Sequence, residues 1–324
     1  MSPSHVAALL GAALWAAPSF AGPPQLSLPI DCTLGQTCVI EDYPDNDPGP
    51  GQRDYTCGLK TRDGHRGTDI LLPSFDDMQR GVSVLAAAPG RVAAKRDGMA
   101  DVPVTNATRE TIRGRECGNA VRIDHGDGWQ TLYCHMKKGS LRVRKGQAVS
   151  AGDPLGLVGL SGLTNVPHVH LTVLKDGNVV DPFLPDATAK CGTAPGNGLW
   201  ASAPAYTPTG LFTAAFSNGV PEFEDVQSGA ARVTQTTPDQ PLVLYGHAFH
   251  AEPGDTLTLT ASGPEGEIFT ETIPLDDPQK QLFRAFGRRS PDGGWPPGAY
   301  RGYVTLKRGD TLIAVRHADI TVSP

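Results

Sequence analysis

The sequence predicts an all-β protein, an antiparallel β-sheet domain followed by a small β-sandwich of Ig-like type. Glycine (38) and proline (29) are plentiful, while charged residues make up 19% and aromatics 6%. That composition suits short strands joined by many turns. The chain has 324 residues, more than the roughly 250 at which single cores stop growing, so two domains are expected.

The first element is a candidate signal peptide. Residues 1–21 contain no Asp, Glu, Lys or Arg, and an apolar stretch from Val6 to Ala17 leads to Ser19-Phe20-Ala21, with small Ser19 and Ala21 at the positions expected for cleavage after Ala21. No later stretch approaches the ~20 apolar residues needed to span a bilayer. The mature chain is therefore expected to be exported, periplasmic or secreted, without stable membrane insertion. Cys32, Cys38, Cys57, Cys117, Cys134 and Cys191 all follow the cleavage site. An even count without CxxC pairs, in an oxidising compartment, predicts up to three disulfides rather than a metal cluster.

Residues 22–58 read as a disulfide-stapled, loop-like lead-in containing Pro44, Pro48 and Pro50. Residues 59–190 form the first domain, with apolar runs at Val82 to Ala88, Val121 to Asp124, Thr131 to Tyr133, Leu155 to Val158 and Val169 to Leu174. Two of these runs flank Asp124-His125-Gly126-Asp127-Gly128, which predicts a hairpin. Folding it about its turn makes Cys117 and Cys134 neighbours. A Pro-, Gly- and Ala-rich stretch at 191–208 reads as a linker. The sandwich, 209–324, has expected strands at Ala231 to Thr236, Leu242 to Tyr245, Thr256 to Ala261, Ile268 to Ile273, Tyr300 to Leu306 and Leu312 to Val322.

The formal net charge of -6 argues against nucleic acid or anionic lipid held by general electrostatics. Recognition must come from a specific site. His65 and Asp69 offer an imidazole and a carboxylate four residues apart, in a Gly-containing string that favours a turn entering a strand. His168 and His170 lie two apart in an apolar run, so on a strand both rings project to one face. His135 ends a strand expected in the same sheet.

With these three elements in order, the sequence resembles the lysostaphin/LytM-type zinc metallopeptidases, marked by His-x-x-x-Asp, a single His after a strand, and a later His-x-His. The resemblance covers roughly residues 59 to 183 and includes Val84-Leu85-Ala86-Ala87-Ala88-Pro89-Gly90 and Val143-Arg144-Lys145-Gly146-Gln147-Ala148-Val149. It implies one Zn2+ per chain on His65, Asp69 and His170, with His135 and His168 as catalytic histidines. It also suggests Tyr55 as a residue stabilising the intermediate. The implied activity is metalloendopeptidase hydrolysis of peptide bonds in bacterial peptidoglycan. The alternative is a catalytically silent wall-binding or regulatory protein of the same fold, which is expected to lack a ligand.

Two imidazoles and a carboxylate leave the fourth zinc position open, as a hydrolytic site requires. This chain departs from the family pattern at Cys134, at Asn165-Val166, and at Thr172, where Glu is frequent. The lead-in is a candidate cover for the groove. His125, His247, His250 and His317 read as structural or solvated.

Overall fold

The computed structural model describes residues 22–72, 75–102, 104, 106–186, 188–193 and 196–324. The stretch read as a signal peptide lies outside them. In the first unit the strands are β1 (Val39–Asp42), β2 (Thr68–Leu71), β3 (Ser83–Leu85), β4 (Gly90–Arg96), β5 (Asn119–Gly126), β6 (Trp129–Met136), β7 (Ala148–Val149), β8 (Pro154–Leu157), β9 (His168–Lys175) and β10 (Asn178–Val180). Eight form one antiparallel sheet in the order β1-β2-β9-β6-β5-β4-β7, with β10 extending beside β9, while β3 and β8 pair separately.

The predicted hairpin is β5–β6. Its Asp127-Gly128 connection has positive φ at both residues, 47° and 74°, the backbone that follows the twist of the flanking strands. Cys117 and Cys134 are joined, as are Cys32 with Cys38 and Cys57 with Cys191.

The lead-in is more than loop. Leu26, Ile30, Ile40 and Tyr43 enter the first core, and β1 is an edge strand of the main sheet. The stretch read as a linker is likewise tied down: Trp200 is buried in the same core, and Leu26 N–H donates to the Leu199 carbonyl at 2.8 Å. The Cys57–Cys191 disulfide and the buried Trp200 indole anchor the stretch at Cys191 and Trp200.

The second unit contains β11 (Gly210–Ser217), β12 (Gln235–Thr236), β13 (Leu242–Ala251), β14 (Asp255–Gly263), β15 (Gly266–Leu275), β16 (Gln279–Arg288), β17 (Gly298–Arg308) and β18 (Thr311–Val322). They make a sheet β11-β13-β16 and a sheet β12-β18-β17-β14-β15. Period-two alternation decides which face is buried: Leu257, Leu259 and Ala261 face the core while Thr256 and Thr258 do not. Phe216 and Leu244 from one sheet meet Leu259 and Val304 from the other in one cluster. A Cβ at Gly302 would stand 2.7 Å from Leu244, so glycine there lets the sheets close on each other. The alternation did not predict β11 or β16, and the expected strand at Ala231 to Thr236 shrinks to β12.

The two units meet along β1 and β18. Val39 and Leu71 pack on Leu312 and Val315, Leu312 N–H donates to Gly35 O at 2.7 Å, and the Arg301 guanidinium lies 3.5 Å from the Phe75 ring centre. Among the described residues no helix is long and apolar enough to cross a membrane.

Candidate active site

Strand register brings the motif residues together. In the β2–β9 pair Asp69 lies opposite His170 and Leu71 opposite His168, and across β9 the β6 residue Cys134 lies opposite His170. His65 enters from the turn before β2, where Gly64 takes φ 69°. A Cβ at Gly67 would come within 2.6 Å of both the His170 ring and the Leu171 carbonyl. Glycine is required there for His65 and His170 to approach.

The orientation of each ring follows from its outer partner. His65 Nδ1 meets the Tyr43 carbonyl at 2.7 Å, His135 Nδ1 the Ser161 carbonyl at 2.8 Å, and His168 Nδ1 the Val166 carbonyl at 2.9 Å. A carbonyl only accepts, so in each ring Nδ1 carries the proton and Nε2 presents a lone pair inward. His170 is reversed. Its Nδ1 lies 2.6 Å from Asp69 Oδ1, and its Nε2 lies 2.9 Å from the Thr172 hydroxyl. Thr172 therefore orients the ring from the position where the family often has Glu.

His65 Nε2, an Asp69 oxygen and His170 Nδ1 converge, with ligand atoms of the three all within 4.8 Å of one another. Two imidazoles with one carboxylate are the donor set of an open zinc site. His168 Nε2 gives an independent test of the fit. It is buried without a hydrogen-bond partner and points at the same place, 3.6 Å from Asp69 Oδ1. A buried lone pair left unmatched is costly, and a solvated cation beside it removes that cost. The residues fit zinc.

His135 and His168 stand side by side, ring centres 4.6 Å apart. His135 has φ 60°, an uncommon backbone for a residue with a side chain. Two features hold it there: the Cys117–Cys134 disulfide and a hydrogen bond from its own N–H to the Cys117 carbonyl at 2.9 Å. Burial above all, with His168 and His170 beside it, pushes the His135 imidazole well below its ordinary value. Burial also lowers His168, against the opposing pull of Asp69. Both rings are thus neutral near neutrality. Burial raises the Asp69 carboxyl, but His65, His168 and His170 outweigh it and hold it well below the carboxylate range.

A cleft of about 380 Å³ opens on this cluster, lined by Asp69, His135, Thr164, His168, Arg62 and Arg316. A larger cavity of about 860 Å³ borders His65 and is lined also by Arg53, Leu184 and the hydrogen-bonded pair Asn46 and Asp181.

The sequence profile of Peptidase family M23 matches residues 63–182. This chain carries an M23 peptidase domain. Over 64 residues, 20% of this chain, it is 41% identical to the peptidoglycan DD-endopeptidase ShyA of Vibrio cholerae; over 122 residues, 38% of this chain, it is 29% identical to ShyB of the same organism, also named a peptidoglycan DD-endopeptidase. These matches span 14% of ShyA and 23% of ShyB, a small part of either relative. A solved structure of a putative M23 peptidase from Pseudomonas aeruginosa aligns at 26% identity and TM-score 0.30, covering 51% of this chain and 52% of that one.

The M23 motifs thus bring five of the six residues singled out in the sequence into one cluster. Tyr55 is placed elsewhere. Its ring stacks on Phe183 with centres 4.9 Å apart and meets Tyr43 and Tyr206 edge-on, an aromatic cluster behind the Tyr43 carbonyl that orients His65.

Among the described residues, the other four histidines lie outside this cluster. His125 belongs to β5 rather than to the turn, where it bridges the Pro89 carbonyl and the Thr131 hydroxyl at 2.7 and 2.8 Å. His247 packs on Phe212, and His317 packs edge-on against Phe75. His250 is exposed.

Arg62, Ser161 and Tyr43 are site residues that motif reasoning missed. Arg62 Nη2 donates to Asp69 at 2.8 Å, and its place three residues before His65 is the only sequence signal it gives.

Proposed function

We propose that this protein is an exported zinc metalloendopeptidase that hydrolyses peptide bonds of bacterial peptidoglycan. The observation that carries the reading is the convergence of an open three-ligand donor set with two inward-facing, neutral Nε2 lone pairs, on His135 and His168. A silent relative is expected to have lost a ligand, and here all three are present.

His65 Nε2, the Asp69 carboxylate and His170 Nδ1 would hold Zn2+. When bound, zinc supplies Lewis acidity and brings a water's pKa from ~15.7 towards ~7. The chain's own residues do the rest. His135 and His168 each have Nδ1–H fixed on a carbonyl, so Nε2 is free to take a proton from the attacking water and return one to the leaving amine. The protonated imidazole beside the reacting carbonyl also stabilises developing negative charge. The two cavities flanking the cluster suit an extended peptide lying across it. The three disulfides and the family relatives support an exported location facing the wall.

The test is release of new amino groups from purified peptidoglycan by the oxidised, zinc-loaded protein. Release should fall at least ~10²-fold in His168→Ala, the low end of what a positioned acid or base contributes, and cease with a chelator. Zinc uptake without release from several wall types would sink the enzymatic reading and favour the silent wall-binding protein.

A further inference from the structure

Strand β18 reaches the metal-site carboxylate through two arginines. Arg62 Nη2 donates to Asp69 Oδ2 at 2.8 Å while its Nη1 donates to Asp42 Oδ2. The other oxygen of Asp42 lies 3.3 Å from Arg316 Nη2, and Glu41 Oε1 lies 3.2 Å from the same nitrogen. Arg316 stands on β18 of the second unit. Its Nε donates to the Leu211 carbonyl of β11 at 3.0 Å, so residues of both sandwich sheets fix its direction.

Register explains why the bridge exists. In the β1–β2 pair Asp42 lies opposite Asp69, and the two carboxylates are 3% and 2% exposed. Two such anions repel unless cations stand between and beside them. Burial raises the Asp42 carboxyl, and Arg316 and Arg62 outweigh it and keep it ionised. Without Arg316, Asp42 keeps Arg62 as its ion-pair partner, with Lys60 the other cation near Glu41 and Asp42, and the hold of Arg62 on Asp69 is divided.

Docking the units needs none of this, because Val39, Leu71, Leu312 and Val315 already join them by apolar contact. Ionic groups buried beside that contact carry a desolvation cost that docking leaves unexplained.

We propose that the C-terminal sandwich is a working part of the metal centre: Arg316, through Asp42 and Arg62, is a positioning residue that orients and charge-balances Asp69. The proposal rests on the zinc reading above. Arg316 hydrogen-bonds no ligand itself; its ion-pair contacts toward the site are with Glu41 and Asp42.

The experiment is a zinc-affinity measurement on the full chain by competition with a chromophoric chelator. It compares wild type with Arg316→Met, Arg62→Met, the double variant, and Arg308→Met. Arg308 is the control because it lies in the same unit but pairs with Glu252 and Asp255. Arg316→Met should weaken zinc binding about 10–100-fold, as loss of an outer partner typically does. The double variant should be no weaker than Arg62→Met, since the two act in series, and Arg308→Met should match wild type. In hydrolysis assays kcat should fall with KM unchanged. Should Arg316→Met fail to fold, Arg316→Lys decides: an intermediate affinity supports the relay. Wild-type affinity in a folded Arg316 variant, or equal loss in the Arg308 control, overturns it. A wild type that takes up no zinc overturns the reading beneath it as well.

Discussion

The two units use β-structure for opposite ends. In β14 the buried Leu257 and Leu259 alternate with the less buried Thr256 and Thr258, and the cluster they join is apolar. In the first unit all four residues of β2 are buried, Thr68 and Asp69 included, and β9 buries His168 and Thr172 beside Val169 and Leu171. A strand that hides polar groups must give each a partner. Carbonyls, the Thr172 hydroxyl and Arg62 supply most of them, but Thr68 Oγ1 and His168 Nε2 are left without one. The sandwich keeps its sheets together, whereas the first sheet also spends buried positions on chemistry.

Substitutions should therefore separate along the same line. The largest effect is expected at His135. His135→Ala should lower peptidoglycan hydrolysis by ~10²–10⁴-fold while His247→Ala, against Phe212 in the sandwich, leaves the rate unchanged. Steady-state release of amino groups measures both, and equal losses would break the contrast.

Next, Leu259→Ala should cost about 2–5 kcal/mol of unfolding free energy through the cavity it leaves. Zinc affinity of the molecules still folded should stay as in wild type. Denaturant titration paired with zinc competition reads the two separately.

The smallest effect concerns pH. Burial raises Glu41 to about 7, against the opposing pull of Arg316 and Lys60. The native state then holds a proton that the unfolded chain, titrating near 4.5, releases first. Stability from this group is full below that value and lost as pH rises through about 7. The loss amounts to at most ~3 kcal/mol at ~1.4 kcal/mol per unit. Glu41→Gln should flatten the fall between these pH values in chelator-treated protein, and an unchanged slope would remove Glu41 as its source.

How much of this was legible in the sequence depends on distance along the chain. His65 with Asp69, and His168 with His170, are local patterns whose spacing already implies a shared face, and the Asp127-Gly128 turn announces its hairpin. The all-β class was visible in turns and alternation. β1 was not, because Val39–Asp42 sits in a proline-rich stretch with two acids, and its strand character comes from pairing with β2. β16 escaped because its sequence mixes Lys280 and Arg284 among Leu282, Phe283 and Phe286, blurring period two. Trp200 gave no sign that the supposed linker ends in a core. Arg316 was beyond reach, since no local pattern connects it to Asp42.

That separation has a consequence for the order of events in folding. Asp42 and Arg316 are 274 positions apart, and contacts between such distant segments form late, after the entropy of closing a long loop has been overcome. A nascent chain carries all five motif residues well before it carries Arg316. The clasp on Asp42 closes only once β18 has been made and has folded.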